Sequence, residues 1–380
     1  MTILIAPDSF KGSLSASNAA DAIELGIRRA LPSAVTIKQA ISDGGEGLVD
    51  VLVPALEGTF QTTEVVGPLP NQRVHARWGL SADRSTAVIE MAAAAGLPLV
   101  PLESRNPMVT TTYGVGEIIR VALDAGAQSI IMGIGGSATN DGGAGMAEAL
   151  GTRFLDDFGK NIRRGGVGLK DLRRIDVNQR DERINRARFL AACDVQNYLC
   201  GEQGASAIFG PQKGATPEEV KMLDQALHQY GMLIESTLGL DVLSIPGGGA
   251  AGGLGAGLVA FCGARLMRGI DVVLDATHFD ERLREADLVV TGEGKLDEQV
   301  RFGKALSGVV ERARRFNVPV VAVVGSLEGE RSAFVHDSFL AGLECLVDET
   351  TNAEQAMRGA FKLVVNKSRV LLNRYLARSV

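Results

Sequence analysis

The chain has 380 residues, which is long for one domain, so we expect two domains that each bury a core of their own. Its formal net charge of -6 argues against a nucleic-acid partner, because binding to a duplex needs a concentrated basic face. The composition is that of a globular protein except for glycine, whose 46 residues exceed the usual share of roughly 7%. This excess predicts segments of unusual backbone geometry.

The four cysteines indicate neither a zinc site nor a disulfide framework, since there is no C-x-x-C pair and no histidine near them in sequence. They predict reduced thiols in a cytoplasmic protein, and the first eight residues lack the basic region of a signal peptide. The uncharged stretch 242–264 imitates a membrane span, but Pro246 and eight glycines would make it a poor isolated helix. We therefore expect a packed helix at 254–264 and no membrane partner.

Short apolar strands alternate with helices at both ends of the chain. In the N-terminal part the pattern predicts strands at 2–6 and 35–41, and helices at 16–31 and 47–56. In the C-terminal part it predicts strands at 287–291, 318–325 and 342–347, a helix at 304–316 and one long final helix with Asn352 and Gln355 as a cap pair. Continuous apolar strands that alternate with helices imply a parallel sheet covered on both faces.

The two ends together supply five strand–helix units, which is the content of a flavodoxin-like doubly wound domain interrupted by an insertion. We therefore predict an α/β protein in which residues 1–57 and 280–380 form the flavodoxin-like domain and residues 58–279 form a second α/β domain. Residues 163–188 carry both charge signs and are expected to be an exposed excursion. Within the insertion we predict strands at 86–91, 129–133 and 189–194, and helices at 115–125, 144–150 and 217–236.

Five predicted strands run into short loops of glycine, small hydroxyl residues and a carboxylate. Glycine lets backbone N–H groups approach an anion, and a loop that opens a helix directs those donors and the positive end of the dipole at it. The loops therefore suit phosphate groups. They are Asp8-Ser9-Phe10-Lys11-Gly12-Ser13, Asp43-Gly44-Gly45-Glu46-Gly47, Gly133 to Gly143, Cys193-Asp194-Val195 and Gly292-Glu293-Gly294-Lys295-Leu296-Asp297.

Ligands of a doubly wound sheet bind at the carboxyl ends of its strands. We therefore expect the loops of Asp8, Asp43 and Gly292 to lie together at one edge of the first domain. The loops of the insertion are expected to face them across a cleft that excludes water.

No Walker P-loop and no protein-kinase signature is present, but two stretches match the loose dinucleotide fingerprint, one beginning at Gly133 and the other, Gly247-x-Gly249-x-x-Gly252, later in the chain. Gly133-x-Gly135-x-x-Ala138 follows a predicted strand, and Asp156 and Asp157 lie about 20 residues further on, where a ribose-binding acid is expected. An NAD-dependent dehydrogenase of a small hydroxy acid is therefore an alternative. We favour phosphate binding, because Thr139-Asn140-Asp141 puts polar groups where the fingerprint needs close packing.

The acid–base residues of the loops are carboxylates, since the four histidines are isolated and outside them. Such carboxylates could hold Mg²⁺ or accept a proton from an attacking hydroxyl, although each could instead form an Asx turn or a helix cap. Lys11, between Ser9 and Ser13, suits neutralisation of a transferring phosphoryl group. A non-catalytic metabolite-binding protein is the second alternative.

The loops, taken in order along the chain, resemble the type I bacterial glycerate kinases. The resemblance implies ATP, Mg²⁺ and D-glycerate as co-substrate, cofactor and substrate, with 2-phosphoglycerate as the usual product, and a second domain similar to restriction-endonuclease folds. The motifs that carry it are Ala6-Pro7-Asp8-Ser9-Phe10-Lys11, Asp43-Gly44-Gly45-Glu46-Gly47, Arg105-Asn106-Pro107, Gly135-Gly136-Ser137-Ala138-x-x-Asp141-Gly142-Gly143, Ala192-Cys193-Asp194-Val195, Phe209-Gly210-Pro211-Gln212-Lys213-Gly214, Gly247 to Gly253 and Gly292-Glu293-Gly294-x-x-Asp297.

The leading hypothesis is transfer of the γ-phosphoryl group of MgATP to a hydroxyl of D-glycerate. Lys11, Asp43 and Asp194 are the predicted catalytic residues, and the two aspartates are also the predicted metal ligands. For Arg105, a structural salt bridge is the alternative to substrate binding. The sequence does not indicate the oligomeric state. The predicted phosphate- or nucleotide-binding residues are Ser9, Gly135, Gly136, Ser137, Gly248, Gly249, Gly292 and Gly294, and the predicted substrate-binding residues are Asp8, Arg105 and Asp141.

One segment departs from the family pattern. Val300 stands where threonine is usual, Leu306-Ser307 stand where proline is usual, and residues 301–304 are bulkier than expected. If this segment touches nucleotide or substrate, we expect affinity or specificity to differ.

Overall fold

The computed structural model describes residues 1–297, 305–335 and 339–378, so the atypical residues Val300 and 301–304 lie outside the described residues. The strands are β1 (Thr2–Pro7), β2 (Val35–Lys38), β3 (Thr59–Val66), β4 (Arg73–Leu80), β5 (Thr86–Glu90), β6 (Ser129–Gly133), β7 (Arg153–Leu155), β8 (Arg174–Asp176), β9 (Arg188–Ala192), β10 (Arg265–Met267), β11 (Leu288–Leu296), β12 (Val320–Leu327) and β13 (Gly342–Cys345).

The α-helices complete the alternation. They are α1 (Ala16–Ala30), α2 (Leu48–Ala55), α3 (Ala92–Ala95), α4 (Tyr113–Asp124), α5 (Ala144–Ala149), α6 (Ala205–Phe209), α7 (Pro217–Leu238), α8 (Ala250–Cys262), α9 (Gly269–Ala276), α10 (Phe279–Glu285), α11 (Ala305–Arg315), α12 (Ala353–Arg358) and α13 (Ala360–Arg378).

The chain divides into two units by its internal contacts. Unit 1 comprises residues 1–43 and 270–380, and unit 2 comprises residues 44–269. The helix α2 belongs to unit 2, where it packs against β4 and β5. The domain limit expected at residue 57 would instead place α2 in the first domain. The expected limits at 57 and 279 stay a proposal.

Unit 1 is a five-stranded sheet in the order β13-β12-β11-β1-β2, and every neighbouring pair is parallel. Numbered along the unit this order is 2-1-3-4-5, the flavodoxin-like doubly wound order that the sequence predicts. The helix α1 begins at Ser15, whose side chain accepts from the backbone N–H of Asn18, and it packs against α13. Its Ile23 and Ile27 are fully buried, and each such side chain contributes about 1.5–3 kcal/mol.

Unit 2 is built on a six-stranded mixed sheet in the order β10-β9-β6-β5-β4-β3. The strands β5, β6, β9 and β10 are parallel, and β3 and β4 form an antiparallel hairpin added at β5. This hairpin is absent from the sequence prediction, because the mixed polar and apolar residues of β3 give no clear buried strand. The two-domain α/β class is confirmed, and the likeness of the second domain to restriction-endonuclease folds stays an expectation.

Two other predictions on secondary structure are wrong. The final helix is two helices, α12 and α13, which break at Gly359, although Asn352 and Gln355 do form the predicted capping box. Residues 163–188 contain β8, and Leu169, Leu172, Ile175 and Ile184 from this segment are buried. Their apolar side chains hold the segment against α7 despite the charges between them.

The uncharged stretch that imitates a membrane span folds as a glycine turn followed by the buried helix α8. Within the ranges that the structure describes, no helix has both the length and the apolar character needed to cross a membrane.

Candidate functional site

The first cluster of predicted site residues lies at the switch point of the unit 1 sheet, where β1 lies between β2 and β11. Chain order reverses at this point, so the loops after the strands diverge and leave room for a ligand. The loop after β1 carries Asp8 and Lys11, and the segment after β2 carries Asp43. The structure confirms that these loops lie together.

Asp8 is a buried carboxyl group with only 8% of its surface exposed. Its Oδ1 accepts a 2.5 Å hydrogen bond from the backbone N–H of Ser9. Burial, and then the negative charge of Asp43, raise its pKa from 3.8 to about 6, against the smaller lowering effects of Ser9 and Lys11. Asp8 therefore changes protonation state close to neutral pH.

Lys11 projects into solvent beside this carboxylate pair. Its Nζ lies 3.6 Å from Oδ2 of Asp43, and 72% of its side chain is exposed. An ion pair this open contributes little to stability, so the amine is available to a ligand. The backbone N–H groups of Lys11 and Gly12 donate to no acceptor among the residues that the structure describes. Together they offer an anion one ammonium group and two amide donors.

Gly292 and Gly294 lie inside β11, not in a loop that opens a helix. The predicted strand end at residue 291 is therefore wrong, because β11 stays paired with β12 through Leu296. A Cβ on Gly294 would lie 3.1 Å from the backbone nitrogen of Lys11, so glycine at 294 lets the Lys11 loop lie directly on the strand. A phosphate-binding role for these two glycines stays a prediction, and the contact indicates that Gly294 positions Lys11.

The carboxylates of Asp8 and Asp43 fit a magnesium ion. Both supply hard oxygen donors, and they lie close enough for the charge of Asp43 to raise the pKa of Asp8. Within residues 1–297, 305–335 and 339–378, no group of three or more metal-binding side chains occurs. Mg²⁺ commonly takes one or two carboxylates and fills its other positions with water and substrate phosphates, so a magnesium site here stays a prediction.

The second cluster lies in unit 2, at the carboxyl ends of β6, β9 and β10. Asp194 follows β9, is exposed, and its Oδ1 accepts a 2.8 Å hydrogen bond from the backbone N–H of Gly269 after β10. Asp43 belongs to unit 1 and Asp194 to unit 2. The predicted catalytic and metal-binding roles of Asp194 stay predictions.

The Gly135-Gly136-Ser137 loop after β6 presents unused backbone donors. The N–H groups of these three residues donate to no acceptor in the described part of the chain, and both glycines are exposed. The loop is held from both sides, because Leu97 donates to the carbonyl of Gly136 at 2.8 Å and Ala138 donates to that of Ala95 at 2.9 Å. Consecutive N–H donors can bind an anion, so phosphate binding by Gly135, Gly136 and Ser137 stays a prediction that this arrangement supports.

Lys213 is the functional candidate that sequence reasoning missed. It is 2% exposed, and its Nζ donates to Oγ of Ser137 at 2.8 Å and to the carbonyl of Thr139 at 2.7 Å. Burial lowers its pKa from 10.5 to about 7, although the charge of Asp141 opposes this shift. In the sequence, Lys213 lies in the motif Phe209-Gly210-Pro211-Gln212-Lys213-Gly214. This motif resembles the family, but the sequence alone gives none of its residues a role.

Arg105 lies beside the same motif. Its Nη1 approaches the carbonyl of Gln212 at 3.5 Å, and its buried Nε has no hydrogen-bond partner in the described residues. Its guanidinium group forms no ion pair within 4.0 Å with a described carboxylate, so the structural salt bridge considered for it is not formed there. The guanidinium therefore keeps donors for an anionic ligand.

Asp141 is buried and its oxygens are occupied by the protein. They accept from the backbone N–H and the hydroxyl of Thr112, and from the backbone N–H groups of Gly143 and Gly145. These bonds tie the start of α4 to the start of α5. Substrate binding by Asp141 stays a prediction, and its surroundings give it a structural role.

Replacing Asp141 with alanine is expected to lower the free energy of unfolding by about 3–5 kcal/mol, because several buried donors would lose their acceptor. Urea unfolding of the purified variant would measure the change. Asp157→Ala is the matched control, since Asp157 is exposed, pairs with Arg173 at 3.3 Å, and should cost less than about 1 kcal/mol. A loss as small as that of the control would contradict the structural role.

The backbone N–H groups of Gly248 and Gly249 already donate hydrogen bonds to carbonyl groups of the protein. Gly248 donates to the carbonyl of Ile245 and Gly249 to that of Asn197, both at 2.9 Å. A Cβ on Gly249 would lie 2.1 Å from the carbonyl oxygen of Tyr198, so close packing requires glycine here. Phosphate binding by these two residues stays a prediction that their donors do not support.

The dinucleotide fingerprint lacks its structural context. Its loop follows β6, but the next helix along this loop, α5, begins only at Ala144. The side chain of Asp156 accepts from the backbone of Phe158 and Lys160 in a turn, and Asp157 pairs with Arg173. The pyrophosphate-binding helix start and the ribose-binding acid of a dehydrogenase are therefore not formed by these residues.

Comparisons with known proteins identify the family of the chain. The profile of the glycerate kinase family matches residues 3–375. A glycerate kinase from Halalkalibacterium halodurans is 49% identical over 97% of this chain and 96% of its own, and a glycerate 2-kinase from Escherichia coli K12 is 46% identical over the same shares. A crystal structure from Salmonella typhimurium LT2, assigned as a glycerate kinase 2, matches with a TM-score of 0.90 and 48% identity over 100% of this chain and 99% of that one. The chain therefore belongs to the glycerate kinase family and is a phosphotransferase with an alcohol group as acceptor.

Proposed function

We propose that this enzyme transfers the γ-phosphoryl group of MgATP to the 2-hydroxyl of D-glycerate, giving 2-phosphoglycerate and ADP. The observation that carries the proposal is the cluster of Asp8, Asp43 and Lys11 at the switch point of unit 1. A phosphoryl transfer needs charge neutralisation, a metal site and a group that accepts the hydroxyl proton. The cluster offers all three.

Asp8 is the residue we propose to accept the proton of the attacking hydroxyl. A general base works best when its pKa lies near the operating pH, and burial together with Asp43 brings the pKa of Asp8 to about 6. Its Oδ1 accepts the bond from the backbone N–H of Ser9, and a substrate hydroxyl would have to bind at this same carboxyl group. From the sequence, Asp8 is expected to bind the substrate, and the proposed role as a base adds proton transfer to that binding.

Asp43 is the residue we propose to hold Mg²⁺, together with the phosphate oxygens of ATP and water. When bound, the ion would draw negative charge from the transferring group. Lys11 would contact the same phosphoryl oxygens, because its amine is exposed and the free N–H groups of its loop are adjacent.

In unit 2 the proposed ligand is an anionic group of a substrate. The three free N–H donors of Gly135-Gly136-Ser137 and the guanidinium of Arg105 suit a carboxylate or a phosphate. Arg105 remains our candidate for the carboxylate of D-glycerate, because its planar fork pairs with a carboxylate through two bonds.

The product test uses enolase as the coupling enzyme. We expect purified protein with ATP, Mg²⁺ and D-glycerate to yield a substrate for enolase directly, because the 2-kinase name of the Escherichia coli relative favours transfer to the 2-hydroxyl. Addition of phosphoglycerate mutase is the control. A signal that appears only with the mutase would show 3-phosphoglycerate and contradict the proposed position of transfer.

The same assay separates the enzyme from a non-catalytic metabolite-binding protein. D-glycerate that raises the melting temperature without any release of ADP would support that alternative. L-glycerate, measured in parallel, tests the proposed stereoisomer.

A further inference from the structure

A lysine buried behind an exposed glycine loop is the least expected feature of unit 2. Lys213 is 2% exposed, while Gly135 and Gly136 of the loop that it supports are exposed. Its ammonium group therefore contacts the loop from the buried side, through the hydroxyl of Ser137 and the carbonyl of Thr139. These two bonds fix the loop conformation in which the N–H donors are free.

The charge of this lysine is not compensated nearby. No described carboxylate lies within 4.0 Å of its Nζ, and Asp141 acts on it only at longer range. A buried cation without a partner is costly, and the cost falls when an anion binds close to it. The free N–H groups of Gly135, Gly136 and Ser137 lie where such an anion would be held.

We propose that Lys213 is a positioning residue that provides the buried counter-charge for a substrate oxyanion bound on the Gly135-Gly136-Ser137 loop. The inference rests on the proposed function, in which both substrates carry oxyanions: the carboxylate of D-glycerate and the phosphates of ATP. Lys213 acts through the loop and through its charge, and it does not contact the reacting atoms.

The test measures binding without turnover. The ligands are D-glycerate, ATP and adenosine, titrated calorimetrically into the wild-type protein and Lys213→Met, a variant that keeps the length of the side chain and removes its charge. We expect the variant to bind one oxyanion ligand roughly 10- to 100-fold more weakly, as expected for loss of a charged hydrogen-bonding group. Loss confined to D-glycerate would identify its carboxylate as the anion, and loss for ATP but not adenosine would identify a phosphate.

Lys221→Met is the matched control, since Lys221 is an exposed lysine of α7 in the same unit. It should change each dissociation constant less than about twofold, as surface substitutions usually do. Unchanged affinity of Lys213→Met for both oxyanions would overturn the proposal. Equal weakening for adenosine and ATP would also overturn it, because that pattern indicates a general structural loss.

The pH dependence supplies a readout that a purely structural lysine would not change. The titratable group whose charge acts on Lys213 is Asp141, which raises the pKa of the lysine against the larger lowering effect of burial. Because the pKa of Lys213 is about 7, wild-type affinity for the oxyanion should fall as pH rises from 6 to 8. The Lys213→Met protein should lose this fall, and an identical slope in both proteins would count against the proposal.

A second variant keeps the test valid if Lys213→Met does not fold. Ser137→Ala removes one of the two groups that the lysine holds and leaves the lysine in place. We expect it to weaken the same ligand by roughly 3- to 10-fold, the value of one hydrogen bond. Failure of wild-type protein to turn over glycerate would overturn the proposed function alone, because these binding measurements do not depend on turnover.

Discussion

Replacing Lys11 with alanine is expected to lower kcat by roughly 100- to 10,000-fold. The side chain contributes little to the fold, since it is 72% exposed and its pairing with Asp43 at 3.6 Å is open to water. Its loss should therefore leave the melting temperature nearly unchanged. The effect should fall on the chemical step, where negative charge moves onto the transferring phosphoryl oxygens and the ammonium group neutralises it.

The experiment compares kcat and KM for ATP and D-glycerate in three variants. Lys11→Arg keeps the charge but spreads it over a planar group, so it should recover part of the activity and not all of it. Lys362→Ala removes an exposed lysine of α13 in the same unit and should match the wild-type protein. If Lys11→Ala retained activity within about threefold of that control, the catalytic role proposed for Lys11 would be wrong.

The sequence was sufficient for the parts of the fold in which local pattern and burial agree. The β–α alternation of unit 1 predicts its parallel sheet, because each strand is a short apolar run followed by an amphipathic helix with a recognisable start, such as Ser15 before α1. The same pattern correctly joins Asp8, Lys11 and Asp43, since loops at the carboxyl ends of neighbouring parallel strands must lie at one edge.

The sequence was insufficient where tertiary packing decides. Pairing with β12 extends β11 through Gly292 and Gly294, although glycine-rich segments resemble loops when considered alone. Gly249 shows the same limit, because its N–H group donates to the carbonyl of Asn197, which only the folded chain brings near. Lys213 was missed for a related reason: its burial depends on contacts with Ser137 and Thr139, 76 and 74 residues away.

Replacing Asp8 with asparagine is expected to abolish most activity while making the free protein more stable. As the proposed base, Asp8 should contribute roughly 100- to 10,000-fold to the rate, and asparagine cannot accept the proton. The amide oxygen of asparagine can still accept the hydrogen bond from Ser9, so the loop should keep its conformation. Activity of the wild-type protein should fall as pH drops through the pKa of Asp8, at about 6.

The stability gain follows from the direction of the pKa shift. The folded state raises the pKa of Asp8 from 3.8 to about 6, so it binds this proton more tightly than the unfolded chain does. The resulting stabilisation is complete below about pH 4 and is lost as pH rises to about 6. Asparagine stays neutral, so the variant should exceed the wild-type protein by about 2–3 kcal/mol at pH 8 and by little at pH 4.

Urea unfolding of the wild-type protein and Asp8→Asn from pH 4 to 8 measures this difference in the free energy of unfolding. The contributions of the other titrating groups are the same in both proteins and therefore cancel. Asp43→Asn is the matched control, because removal of the negative charge beside Asp8 should lower the pKa of Asp8. In a protein that carries Asp43→Asn, replacing Asp8 should therefore raise the free energy of unfolding at pH 8 by a smaller amount. Mg²⁺ should stabilise the wild-type protein and Asp8→Asn to a similar extent, because Asp43, the residue proposed to hold the ion, is present in both. A pH-independent difference between the two proteins would contradict the raised pKa, and full activity of Asp8→Asn would contradict its role as the base. The expected pairing of greater stability with lost activity would show that burial of this carboxyl is retained for the reaction, at the expense of the fold.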